Sequence, residues 1–160
     1  MRVKKILLTV AIAAATAAFA AEQTTVLYPA GYRSWRHVKS MVIEKGHPLY
    51  DAFGGIHHLY ANTQAMEGYR KGKFPDGSII VFDLLEASAE NNTVGEGKRK
   101  VLGVTQKDSK KFSKTGGWGF EGFGGGDPKN RVVKDNAVKA CFECHTAQKD
   151  KDYVFSSYRN

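Results

Sequence analysis

Cysteine is nearly absent: the 160 residues hold two, Cys141 and Cys144. They leave room for one local pairing at most, and a framework of several disulfides is excluded. Long apolar runs are also lacking. The N-terminal run, Ile6 to Ala17, is shorter than the ~20 residues a helix needs to cross a bilayer. No long basic tract occurs either. Lys98-Arg99-Lys100 and Lys110-Lys111 are short clusters, so nucleic acid is not an expected partner. No internal repeat is visible. Methionine and histidine are missing from the 15 residues that follow His145.

What is present begins with an export signal. Arg2, Lys4 and Lys5 precede the apolar run, and Ala18-Phe19-Ala20 follows it. This is the layout of a secretory signal peptide over residues 1–20, cut near Ala20, and it implies a periplasmic chain with no membrane attachment after cleavage. Residues 21–160 are then expected to form a single domain. Removing the three signal cations lowers the formal charge from +8 to +5. That balance is compatible with an acidic redox partner but does not demand one.

Periodicity predicts an α+β fold, a mainly antiparallel sheet of about five strands with short helices. Pro29 to Arg36 reads as a short helix with Trp35 as a core anchor. Strands are expected over His37–Glu44, Ile56–Ala61, Ser78–Ala87, Lys98–Gln106 and Trp118–Gly124. The third is apolar on both faces and should be central. Asn62 or Thr63 should cap a helix to Lys71. Lys45–Gly55 and Ser88–Gly97 read as loops, the second polar and mobile. Asp108–Lys114 reads as a helical turn, and Asn136–His145 as a C-terminal helix.

That last helix carries Cys141-Phe142-Glu143-Cys144-His145, the pattern of a c-type haem attachment site. Two thiols three residues apart on a helix can both add to the haem vinyl groups, and the adjacent imidazole can then ligate the iron. A redox dithiol, a disulfide or a structural zinc site are the competing readings. The first usually opens a helix near the front of its fold, and the last lacks further ligands at the usual spacing. An electron carrier would need a second strong axial ligand from upstream. The candidates are Met41, Met66, His37, His47, His57 and His58. Met41 and Met66 are expected to pack in the core. His57 and His58, neighbours in a strand, should point to opposite faces. The favoured state is five-coordinate iron with His145 on one side and an open position on the other.

In order along the chain, Gly31-Tyr32-Arg33-Ser34-Trp35, Tyr60-Ala61-Asn62, Phe74-Pro75-Asp76-Gly77-Ser78, Gly117-Trp118-Gly119-Phe120 and the terminal Cys141–His145 resemble the cytochrome P-460 family. The resemblance implies a mostly antiparallel homodimer with one haem c held by Cys141 and Cys144. It also implies a choice of chemistry. Hydroxylamine-oxidising members carry a haem-cross-linked lysine five residues beyond the Asp-Gly turn, a position held here by Phe82. An acidic distal residue of some members falls near Gly103. These departures resemble the cytochrome c′-β sub-group, whose two distal phenylalanines would correspond to Phe53 and Phe82. The expectation is a periplasmic protein that binds small diatomic gases, chiefly NO and also CO, rather than an enzyme. A hydroxylamine-oxidising or nitrogen-oxide-converting enzyme and an electron-transfer cytochrome are the alternatives.

Overall fold

Five strands pair only with their neighbours in the chain. They are β1 (Arg36–Ile43), β2 (Gly55–Ala61), β3 (Ile79–Glu90), β4 (Thr93–Lys107) and β5 (Trp118–Gly124), antiparallel and in sequence order. Two short helices interrupt them, α1 (Tyr50–Phe53) and α2 (Thr63–Lys71). The computed structural model describes residues 25–159, so the signal segment read at residues 1–20 lies outside the described residues. The expected α+β class and antiparallel sheet are what the chain forms. β3 lies at the centre, and Val81 and Leu84, which face opposite sides, are both fully buried.

Each face of the sheet carries its own core. On one face, Val38, Ala61, Ile80, Trp118 and Phe120 pack with Ala65 and Met66 of α2. On the other, Val81, Leu102, Val104 and Phe123 pack with Tyr32 and Phe112. The helix α2 sits on the first face because its ends are fixed. Asn62 Oδ1 accepts from Ala65 N at 2.9 Å and from Ile79 N at 3.0 Å, tying the helix start to β3. Gly72, at φ 74°, closes the other end in the left-handed conformation.

Several expectations need correction. The segment Ser88–Gly97 is not a loop: β3 and β4 continue as a hairpin, with Glu90 paired to Thr93. Asn91 and Asn92 make the turn at φ 50° and 60°, a backbone that suits a tight hairpin. Between Pro29 and Arg36 only Tyr32–Ser34 forms a 3-10 turn. Its buried anchor is Tyr32 rather than the half-buried Trp35, because the Tyr32 hydroxyl reaches Asp83 Oδ2 at 2.5 Å. The 45–55 loop contains the helix α1, which ends at Phe53. Met41 is exposed instead of packed, since it lies on the edge strand β1 where described residues leave its face uncovered. Met66 is in the core, as expected.

Candidate functional site

The segment with the two cysteines is helical but not one regular helix. A 3-10 turn at Lys134–Asn136 leads into a π turn at Val138–Phe142, then Glu143–His145 in α form, then 3-10 geometry over Thr146–Lys151. The widening closes with Glu143 N donating to Val138 O. Such π turns frequently mark functional positions. Cys141 packs half-buried against the first core, whereas Cys144 is exposed, and both are free thiols. At a spacing of three on a helical backbone they share one side. Burial pushes the Cys141 thiol up to about 11, with nearby Glu121 and Cys144 acting in the same direction. A redox dithiol needs the opposite shift to supply a thiolate.

His145 is held in one tautomer and one orientation. Its Nδ1 lies 2.7 Å from the Tyr153 carbonyl oxygen. A carbonyl only accepts, so Nδ1 carries the proton and the Nε2 lone pair is free. Burial draws the imidazole pKa down, against the opposing effect of the Tyr153 bond. Phe120 and Phe155 pack on it at centroid distances of 4.8 and 5.1 Å.

Strand register puts Phe82 on the same face of the sheet. Paired residues across an antiparallel sheet share a face, so Ala61, Ile80, Thr105 and Phe120 form one row and Leu59, Phe82, Gly103 and Gly122 the next but one. Phe120 and Phe82 are separated by two strand spacings, about 10 Å, and by one pleat repeat, about 7 Å. Phe53 stands edge-on to Phe82 with centroids 5.7 Å apart, so the structure brings the two predicted phenylalanines together. A side chain at Gly103 would start 3.4 Å from the Phe82 Cβ, which makes position 103 the immediate neighbour of that ring.

His57, paired with Leu84, joins this group on the same sheet face, beside Phe82. It is 3 % exposed and stacks on Phe82 at 4.5 Å. Its Nδ1 has no partner among the described residues, and burial, with His58 adding, lowers its pKa to about 4. His58 faces the other way, as alternation predicts. Its Nδ1 meets Ser40 Oγ at 2.6 Å and its Nε2 lies 2.7 Å from Glu96 Oε1. His37 also contacts Ser40, and His47 accepts from Leu49 N. Of the six candidate second ligands, only His57 touches the Phe53–Phe82 group. A groove runs along β1, past Trp35, His37, Met41 and Met66, and includes neither cysteine, His145 nor Phe82.

Two residues with structural influence on the motif were not legible in the sequence. Glu121 Oε1 accepts from Gly122 N, Val133 N and Lys134 N, while Oε2 pairs with Arg131 at 3.2 Å. It thus pins the backbone that leads into the motif. Asp152 pairs with Lys107 at 2.7 Å beyond the motif. In the sequence each is one more charged residue, because its partners are brought close only by the fold.

The residues present fit a covalently held haem: two free thiols on one side of a helical turn, an imidazole with Nε2 unprotonated, and aromatic rings on the same sheet face. No described group of three or more His, Cys, Asp or Glu side chains forms an alternative metal centre. None of the curated proteins gives a significant match to the chain. A family model described as Cytochrome P460 matches residues 29–156. The chain belongs to the cytochrome P460 family, a family of haem proteins.

Proposed function

We propose that the chain is an exported mono-haem cytochrome of the c′-β kind that binds small diatomic gases, NO first and CO also, at open iron. Cys141 and Cys144 would hold the haem and His145 would ligate it from one side. The haem supplies an iron centre able to take a diatomic ligand. The chain's own residues set what reaches it. Phe53 and Phe82 form an apolar wall, which excludes water and gives a charged ligand no hydrogen bond. The observation that carries the reading is the Phe82–Gly103 pair: a hydrocarbon ring beside a position with no side chain, on the sheet face that also holds His145. A hydroxylamine oxidase needs proton transfer near the reacting atoms. Neither position supplies a group for it. A homodimer in the periplasm completes the proposal on the strength of family resemblance and the signal-like residues 1–20.

An optical spectrum of the haem-loaded protein tests it. High-spin, five-coordinate iron is expected in both oxidation states, with CO binding on reduction. Low-spin iron that ignores CO would overturn the reading in favour of electron transfer. Steady turnover of hydroxylamine with an electron acceptor would overturn it in favour of an enzyme. Phe82→Ala should speed CO association by about tenfold, equivalent to removing ~1.4 kcal/mol of steric barrier. An unchanged rate in both Phe82→Ala and Phe53→Ala removes the distal assignment.

A further inference from the structure

We propose that Asp152 is a positioning residue: by fixing the Tyr153 carbonyl it holds His145 in its ligating tautomer, and it thereby decides how firmly the imidazole stays on iron when a gas binds opposite. The inference rests on His145 being the proximal ligand.

The carbonyl that accepts from His145 Nδ1 lies eight residues downstream. To point back, the chain adopts the left-handed conformation at two successive residues, Asp152 at φ 52° and Tyr153 at φ 65°. Neither is glycine, and L-residues rarely adopt this conformation in succession, so contacts must hold the turn. Asp152 supplies them from both its side chain and its backbone. Oδ1 accepts from Lys107 Nζ at 2.7 Å, Oδ2 accepts from Phe74 N at 2.9 Å, and the Asp152 carbonyl accepts from Trp118 Nε1 at 2.8 Å. The end of β4, the start of β5 and the loop before β3 therefore converge on one residue.

The ion pair is well shielded, with side chains 8 % and 12 % exposed, and Lys107 also donates to Gly116 O at 3.0 Å. Lys107 lies over the Trp118 ring as well, 5.0 Å from its centroid. The Tyr153 ring is wedged in turn. A Cβ at Gly116 would fall 2.3 Å from it, so the ring needs bare backbone there, and Phe142 of the motif stacks against it at 5.3 Å. The carbonyl thus has one fixed position relative to the sheet. An acceptor fixed on Nδ1–H sets the rotation of the imidazole and increases the donor strength of Nε2. Releasing the turn weakens both effects.

The test uses the haem-loaded full chain with Asp152→Ala, Asp152→Glu and Trp118→Phe. The first readout is solvent exchange of the His145 Nδ1–H proton by NMR in the ferric protein. Exchange about tenfold faster in Asp152→Ala, with recovery toward wild type in Asp152→Glu, is expected. The second is the ferrous NO adduct, in which the fraction with His145 released should rise in Asp152→Ala. Exchange within roughly twofold of wild type overturns the proposal, even if the variant melts earlier. Should Asp152→Ala fail to fold, Trp118→Phe decides on the same readouts, since it removes the Nε1 donor while leaving a smaller aromatic ring in the core. Failure of the gas-binding reading shows in the wild-type spectrum alone. Failure of the latch shows only in the difference between wild type and variants.

Discussion

His57 is a buried imidazole whose Nδ1 has no described partner, packed beside Phe82. An unsatisfied buried polar atom costs about 1–3 kcal/mol. Burial, with the neighbouring His58 adding, lowers its pKa from 6.5 in the unfolded chain to about 4. The unfolded state therefore binds more protons between these values. Its contribution is constant above pH 6.5, is lost as pH falls through the window, and levels off below about 4. The loss amounts to about 3 kcal/mol at most. His57→Leu should remove that part of the acid sensitivity. It should also leave stability at pH 7 equal to wild type or higher by about 1 kcal/mol. Urea unfolding of both proteins at pH 7 and pH 5 measures the difference, and parallel losses on acidification would show that His57 is not the group responsible. The opposite orientation of His57 and His58 was legible from the two-residue strand period. The burial of one and the approach of the other to Glu96 were not, because they depend on Phe82 and Glu96, which lie on other strands.

The β3–β4 hairpin shows why an element can be missed. Residues 88–96 are all exposed, and only Ala89 and Val94 among them are apolar, so no apolar pattern announces a strand. Backbone pairing needs no apolar side chain, only a turn that matches the strand twist. Asn91 and Asn92 supply it in left-handed conformation. Asn92→Gly should raise stability by about 0.5 kcal/mol, since glycine meets that conformation without a Cβ penalty. Thermal unfolding checks this, and a loss of stability would mean that the Asn92 side chain contributes more than its backbone. The motif helix is the reverse case. Its existence was legible from Asn136 to His145, but its π turn was not, since that geometry follows from docking Cys141 and Phe142 on the sheet. The five strands were legible from alternation and turns, whereas their order in the sheet and the row linking Leu59, Phe82 and Gly103 required the pairing.

At the scale of the whole molecule, the two faces of the sheet are finished differently. One is closed by an ionic group: Asp83, fully buried, receives Tyr32, Arg33 and Arg99. Burial alone would raise the Asp83 pKa, but hydrogen bonds from Arg99 and Tyr32 outweigh it and hold the carboxyl below its ordinary range. The other face carries the motif and leaves Phe53 and Phe155 exposed beside the rings they touch. A haem bound there adds a ligand that the unfolded chain cannot engage in the same way. The double variant Cys141→Ser, Cys144→Ser, prepared without haem, should melt roughly 10 °C below the loaded protein. Equal melting temperatures would show that the fold draws nothing from its cofactor. The turn at Asp152 and Tyr153 has a consequence for the order of assembly. The proposed attachment motif is complete once His145 has been made, yet the partners that orient the imidazole come later in the chain and from β4 and β5. In the proposed cytochrome, thioether formation and ligation by His145 would therefore be separable events: a chain clipped before Asp152 would keep every atom needed to tether a haem and lose the setting that makes its histidine a fixed ligand.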